Sequence, residues 1–299
     1  MRRPATLLAT LLAVPLAGLL AGLLGALPGA VQAAAASPQP APAPLALVAC
    51  APGFPGTTEE AQPAMDGLAR ALERTAALPQ GALGATYLPG EADGVARLGK
   101  PDAGLALVSL PFFLRHGAAL GLTPRLQVEL TGAGLLERWA LIARKGRVAK
   151  PADLAGLTVL STAGYAPDFV RGALGPFGRL PAAATVAPTA QVLSALRRAA
   201  AGADVAVLLD GAQAEALATL PFAGELEVVA RSAPVPRALV ATVGARLPPA
   251  RWPALERGLL GLAADPQGAA ALAGIRMVRF TPLDQPALAA ARAMAEPAR

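Results

Sequence analysis

Apolar positions along this chain fall into short, dense runs separated by glycine, proline and small polar residues. Runs at 45–51, 84–88, 102–109, 127–130, 139–144, 157–160, 204–210, 225–230, 238–243 and 276–280, with a short one at Val186, predict strands. The run at 102–109 is nearly all apolar, as expected of a strand buried on both faces. Between the runs the spacing changes to that of a helix. Thr57-Thr58-Glu59-Glu60 places hydroxyls and acids where a helix N-terminus wants them, and Ala61, Met65, Leu68, Leu72 and Ala76 then recur every three or four residues, the regular helix settling from about Pro63. Leu110-Pro111 opens a helix through Leu120. Others are expected at 167–174, after Gly211, and at 249–264, 265–273 and 285–295. Thr189 caps one that carries Val192, Leu193, Leu196 and Ala200 inward and Arg197 and Arg198 outward.

Strands thus alternate with helices almost throughout, which predicts an α/β fold with mostly parallel sheets flanked by helices. Two segments rich in glycine or proline, 130–136 and 231–237, read as crossings between lobes. They divide the chain into a discontinuous first lobe (45–131 and 235–299) and a continuous second lobe (132–234). A cleft between such lobes is a natural ligand site that closes by hinge motion.

The stretch KPADLAGLTVLSTAGY, 150–165, is the most informative single piece. Asp153 can cap a short turn, and Gly156 can take the positive φ that ends it. Ser161, Thr162 and Gly164 then sit where a strand ends and a helix begins. Ligands of open α/β sheets bind at that rim, and free N–H groups with two hydroxyls suit an anion.

Composition narrows the picture. Of 299 residues, 54% are hydrophobic but only 4% aromatic, so helices should pack closely on the sheets through alanine. Net charge is +6, with Arg2 and Arg3 supplying two of the 26 basic residues. The basic residues are not clustered with aromatics, which argues against nucleic acid as a partner. The single cysteine, Cys50, excludes an internal disulfide. His116 is the only histidine and no Gly-x-Ser-x-Gly elbow occurs, so a histidine-based triad has little to build on. No spaced set of His, Cys and carboxylates suggests a metal, and no P-loop or G-x-G-x-x-G suggests a nucleotide cofactor; no cofactor is expected.

Arg2 and Arg3 precede an uncharged run from Pro4 to Val31, and small residues stand before a cut after Ala33. That layout is a signal peptide at 1–33, followed by a Pro/Ala linker at 34–44, and predicts a periplasmic location. An uncleaved N-terminal anchor is one alternative, since the run is long enough to span a bilayer. A lipoprotein is another, because Leu47-Val48-Ala49 precedes Cys50, although the linker separates that cysteine from the apolar run.

The residues quoted so far resemble the type II periplasmic substrate-binding proteins, and more narrowly the phosphate/phosphite/phosphonate-binding members that serve ABC transporters. The resemblance spans about 45–284. It rests on KPADLAGLTVLSTAGY, DAGLALVSLPFFLRHG, ADVAVLLDG and RLPPARWPALERGLLGLAADPQG. The Asp-Leu-x-Gly element speaks for the fold, and the STAGY loop for the ligand. The resemblance implies an oxyanion held at helix N-termini from both lobes. Ser161, Thr162, Gly164 and Tyr165 would contribute from the second lobe, and Ser109 from the first. Thr57 and Thr58 match the first loop loosely. Asp210 would face the ligand; an acid there repels phosphate, so it fits opposite a cationic ligand tail, or it simply caps the helix after Gly211. Two departures stand out. Ala163 replaces a hydroxyl of the family's Ser-Thr-Ser-Gly loop, and Phe112-Phe113 stands where a tyrosine is common. Each lost hydroxyl would weaken a bound phosphonate by ~1 kcal/mol or more. The implied function is a monomeric, non-enzymatic binding protein that captures a small anionic solute and delivers it to an ABC transporter permease. The alternative is a sensor or scaffold that keeps the fold, interacts with a partner protein and has lost tight oxyanion binding.

Overall fold

A computed structural model describes residues 44–295. The expectations for the signal peptide and for the linker before Pro44 lie outside these residues. The chain begins with β1 (Leu45–Cys50), α1 (Thr58–Thr75), β2 (Leu83–Leu88), α2 (Glu91–Leu98), β3 (Ala103–Ser109), α3 (Leu110–Leu120) and β4 (Leu122–Leu130). It passes through β5 (Leu136–Glu137) to β6 (Ala140–Arg144), β7 (Thr158–Ser161), α4 (Pro167–Ala173), β8 (Thr185–Pro188), α5 (Val192–Ala200), β9 (Val205–Leu209), α6 (Gly211–Ala216) and β10 (Leu226–Arg231). It returns through β11 (Val235–Pro236) to β12 (Ala238–Val243), α7 (Trp252–Gly261), α8 (Pro266–Gly274), β13 (Met277–Pro282) and α9 (Gln285–Ala295).

One sheet has the strand order β13-β4-β12-β3-β1-β2, the other β10-β6-β9-β7-β8, and β5 pairs with β11 between them. The α/β alternation and flanking helices are as expected, but the sheets are mixed rather than mostly parallel. β1 lies parallel to β2 and β3, and β7 to β8 and β9. β12 runs antiparallel to β3 and β4, β13 to β4, and β6 to β9 and β10. The reason lies in the connections. β6 and β12 enter their sheets directly from β5 and β11, so they run away from that strand pair. β3, β4, β9 and β10 run toward it.

Local chemistry accounts for several boundaries. α1 starts at Thr58, ahead of Pro63. A capping box fixes its first turn: Glu60 N donates to Thr57 Oγ1 (3.2 Å) and Thr57 N to Glu60 Oε2 (2.9 Å). Pro63 then costs only one bond to the first turn. α2 has no counterpart among the expected elements. It fits because Gly94 lies flat against β1, where an added Cβ would come 3.0 Å from Cys50 Cβ. α5 buries Ala195, Leu196 and Ala199, while Leu193 is exposed, contrary to the expected inward face.

The cores join the two sheets. Leu47, Met65, Leu68, Leu72, Leu126, Val240 and Leu259 fill the α1/α7/α8 side of the first sheet. A second cluster runs without a break from Val48, Val108 and Leu239 of the first sheet, with Phe112 of α3, to Leu141, Val159 and Leu208 of the second, with Phe169 of α4. Leu288 and Ala291 of α9 complete it, and Gly172 of α4 lets the end of α9 approach: an added Cβ would lie 2.5 Å from the Met294 carbonyl carbon.

The outer edge of β2 is blunted by α1. Buried Glu73 accepts a hydrogen bond from Leu83 N (2.9 Å), and Gln62 Nε2 donates to Ala85 O (2.8 Å). Glu73→Ala leaves the Leu83 amide without its partner and should cost about 1–3 kcal/mol, read as a lower urea midpoint at unchanged slope. A wild-type midpoint would show that water replaces the carboxylate freely. Among the described residues, no helix is long and apolar enough to cross a membrane.

Candidate ligand cleft

The 150–165 corner forms as its residues dictate. Asp153 Oδ2 accepts hydrogen bonds from Ala149 N (2.9 Å) and Lys150 N (3.0 Å), which hold its carboxyl below the usual range. Gly156 takes φ +81° after the short 3-10 turn at Pro151–Leu154. β7 then lies between β8 and β9, and the chain turns at its end.

The turn residues have different tasks. Ser161 is fully buried; its hydroxyl donates to Leu208 O (2.8 Å) and accepts from Ala163 N (3.2 Å), so it ties the loop to β9. Thr162 is 4% exposed, and its hydroxyl has no hydrogen-bond partner among the described residues. Gly164 donates its N–H to Ser161 O (3.0 Å) and lies against β8, where a Cβ would come 2.5 Å from Pro188 N. Its amide therefore closes the turn and is not a free donor. Ala163 is 1% exposed and packs into the core that joins the sheets.

First-sheet elements cover this corner directly. The loop after β1 lies over Thr162: at Gly53, with φ +83°, a Cβ would be 2.9 Å from Thr162 O. Tyr165 OH and Ser109 Oγ are 3.2 Å apart, and Arg115 Nη1 donates to Tyr165 O. Burial pushes the Tyr165 phenol well above its ordinary range, with the Ser109 hydrogen bond opposing. Ser109, Thr162, Gly164 and Tyr165 thus meet at one seam, with Ser161 behind them. Thr57 caps α1 and is exposed, and half-buried Thr58 opens that helix. Asp210 caps α6: Oδ1 accepts from Gln213 N (2.8 Å). It is 5% exposed, and burial raises its pKa against the Gln213 bond and the Arg237 charge.

Two functional candidates escape a reading of the sequence. Glu137 of β5 and Arg237, just past β11, form a buried ion pair across the two crossing strands, Nη1 to Oε2 at 2.9 Å. The same Oε2 accepts from Gly211 N (3.1 Å) at the start of α6, while Arg237 O accepts from Leu110 N (3.1 Å) at the start of α3. The pair therefore fixes one helix start from each side of the seam. Burial pushes the Glu137 carboxyl up to about 7; Asp210 adds to this, and Arg237, the Gly211 amide and the Trp139 indole oppose it. The only available signal was one acid directly after the first crossing segment and one base closing the second.

His116 sits inside α3, ahead of its last turn, with Nε2 2.7 Å from Glu91 Oε1, and Arg115 shares that carboxylate. Cys50 is buried in β1, its thiol pushed up to about 12 chiefly by burial. A groove of about 560 Å³ beside β2, lined by Gln62, Thr86, Asp93 and Arg97, shares no residue with the corner. A smaller cavity of about 110 Å³ borders it, among Leu114, Arg115, Ala166, Phe169 and Ala295.

No protein-family model and no curated protein matches the chain. Solved structures do match its fold. XAC2383 from Xanthomonas citri, bound to ATP, is 18% identical at TM-score 0.65, covering 85% of this chain and 97% of that one. PhnD1 from Prochlorococcus marinus, in complex with methylphosphonate, is 11% identical at TM-score 0.58 over 85% and 97%. The binding-protein component of an ABC phosphonate transporter from Pseudomonas aeruginosa is 13% identical at TM-score 0.57 over 84% and 85%. The chain has the two-lobed α/β fold of periplasmic binding proteins.

Proposed function

We propose that this chain is an exported binding protein that takes a small phosphate- or phosphonate-like oxyanion into the seam between its lobes and delivers it to the permease of an ABC transporter. The lobes are taken as 45–131 with 235–299, and 132–234. One observation carries the reading: the Thr162 hydroxyl is buried at the end of β7 without a partner, beneath the first-lobe loop. A buried hydroxyl left unpaired is costly unless something else satisfies it. ATP and methylphosphonate, named with two of the matched structures, both present phosphorus oxyanions, which supports that ligand class. Binding rather than catalysis fits the chemistry. Among the described residues, no histidine or carboxylate hydrogen-bonds Ser109, Ser161 or Thr162.

Thermal shift of the purified protein against phosphate, phosphite, methylphosphonate and sulfate tests the reading. A receptor at a hundredfold excess over Kd gains about 3 kcal/mol. Thr162→Val should leave ligand-free stability unchanged or slightly higher, since no bond is lost, and should reduce the ligand-induced gain by about 1 kcal/mol or more. No shift with any anion sinks the oxyanion reading.

The Ser109–Tyr165 contact favours a second reading. Hydroxyls placed to meet a ligand already satisfy each other across the seam, as in a sensor or scaffold whose closed form is read by a partner protein. Small-angle scattering separates the two: a receptor contracts on adding ligand, whereas a self-closed scaffold does not change.

A further inference from the structure

Beside the seam, three charged side chains share a space nearly closed to water. Glu137, Asp210 and Arg237 are 7%, 5% and 6% exposed. Ser161 pairs in register with Leu208, so Asp210, two residues further on, ends at the same rim as the Thr162 corner. Leu110 N reaches Arg237 O, which puts Arg237 beside Ser109, on the opposite side of that rim. Two carboxyls therefore face one guanidinium. The other hydrogen bond to Glu137 comes from the Gly211 amide (3.1 Å). Nearby cations are engaged elsewhere: Arg138 donates to Ser232 O (3.0 Å), and Arg292 of α9 lies 5.4 Å from the Phe113 ring centre.

With both carboxyls ionised the group carries one uncompensated negative charge; with one protonated it is neutral. In a desolvated space that difference acts strongly on an anion held at the same rim. We propose that Glu137 is the proton-controlled charge of the cleft floor: protonated, it leaves Arg237 balanced against Asp210 and admits an oxyanion, and ionised, it makes the floor anionic and keeps the oxyanion out. This rests on the oxyanion-binding reading above and adds a specificity-setting residue to it. The charge change falls near neutral pH, because burial and Asp210 together outweigh Arg237 and the Gly211 amide.

Sulfate is the probe, since its own charge does not change across the range used. Calorimetric titration should show sulfate binding at least about tenfold tighter at about pH 5.5 than at about pH 8.5. Glu137→Gln, which keeps the shape and stays neutral, should bind tightly at both. Asp210→Asn removes the neighbouring charge and should shift the wild-type transition to lower pH. Equal wild-type affinity at both pH values, or a slope that survives in Glu137→Gln, overturns the proposal while leaving oxyanion binding in place. Failure of sulfate, phosphate and methylphosphonate to bind at either pH overturns both.

Discussion

Arg237→Ala should destabilise the protein by about 3–5 kcal/mol at neutral pH, because it strands two buried carboxyls without their cation. The loss should depend on pH with a definite sign. Burial raises the folded-state pKa of Glu137 from 4.5 to about 7. The stability linked to this group is fully present below 4.5 and is lost as pH rises through about 7. Without Arg237 the carboxyl is held protonated still further up the scale. The deficit of the variant should therefore be smaller near pH 5 than near pH 8, as roughly the free energy of one uncompensated charge. Urea denaturation of both proteins at the two pH values measures it. Pairing Arg237→Met with Glu137→Gln and Asp210→Asn should recover most of the loss, since the neutral replacements leave no carboxyl buried without its cation. An equal deficit at both pH values would mean that Arg237 acts by packing alone.

Gly164→Ala is expected to cost at least about 3 kcal/mol, lowering Tm by roughly 5–10 °C. The added methyl would press on the Ala187 carbonyl and on Pro188 N, all backbone atoms of β8, which have no rotamer to yield. Gly84→Ala is the contrast. A Cβ there meets nothing within 4 Å and its φ is ordinary, so it should be near neutral. If the two variants melt together, the corner does not pack on β8 as closely as these contacts require.

Much of the corner was legible because its signals are local. The Asp153 cap, the Gly156 turn and the strand end at Ser161 follow from neighbours in sequence, and each forms as expected. What Ser161 does was not legible. Its hydroxyl turns to Leu208 O, 47 residues away, and only the pairing of β7 with β9 creates that acceptor. Glu137 and Arg237 lie 100 residues apart and share no periodicity, so only the pairing of β5 with β11 reveals them as a pair. Strand direction was illegible for a similar reason. An apolar run predicts a strand, not whether the chain enters it from the β5/β11 pair. The start of α1 was legible in Thr57 and Glu60, whose cap forms as expected; only the regular helix begins earlier than Pro63 suggests, because two cap hydrogen bonds outweigh the one bond that proline omits.

The position of β12 also bears on how this chain acquires its fold. β12 fills the gap between β3 and β4, yet roughly a hundred residues separate it from β4, a long loop to close. The strands of the other sheet all lie between Ala140 and Arg231, one contiguous stretch. That sheet can assemble from nearby contacts while β3 and β4 wait with unpaired edges. In a chain made from its N-terminus, the part synthesised first is therefore the part finished last, and its open edges are the stage most prone to aggregate.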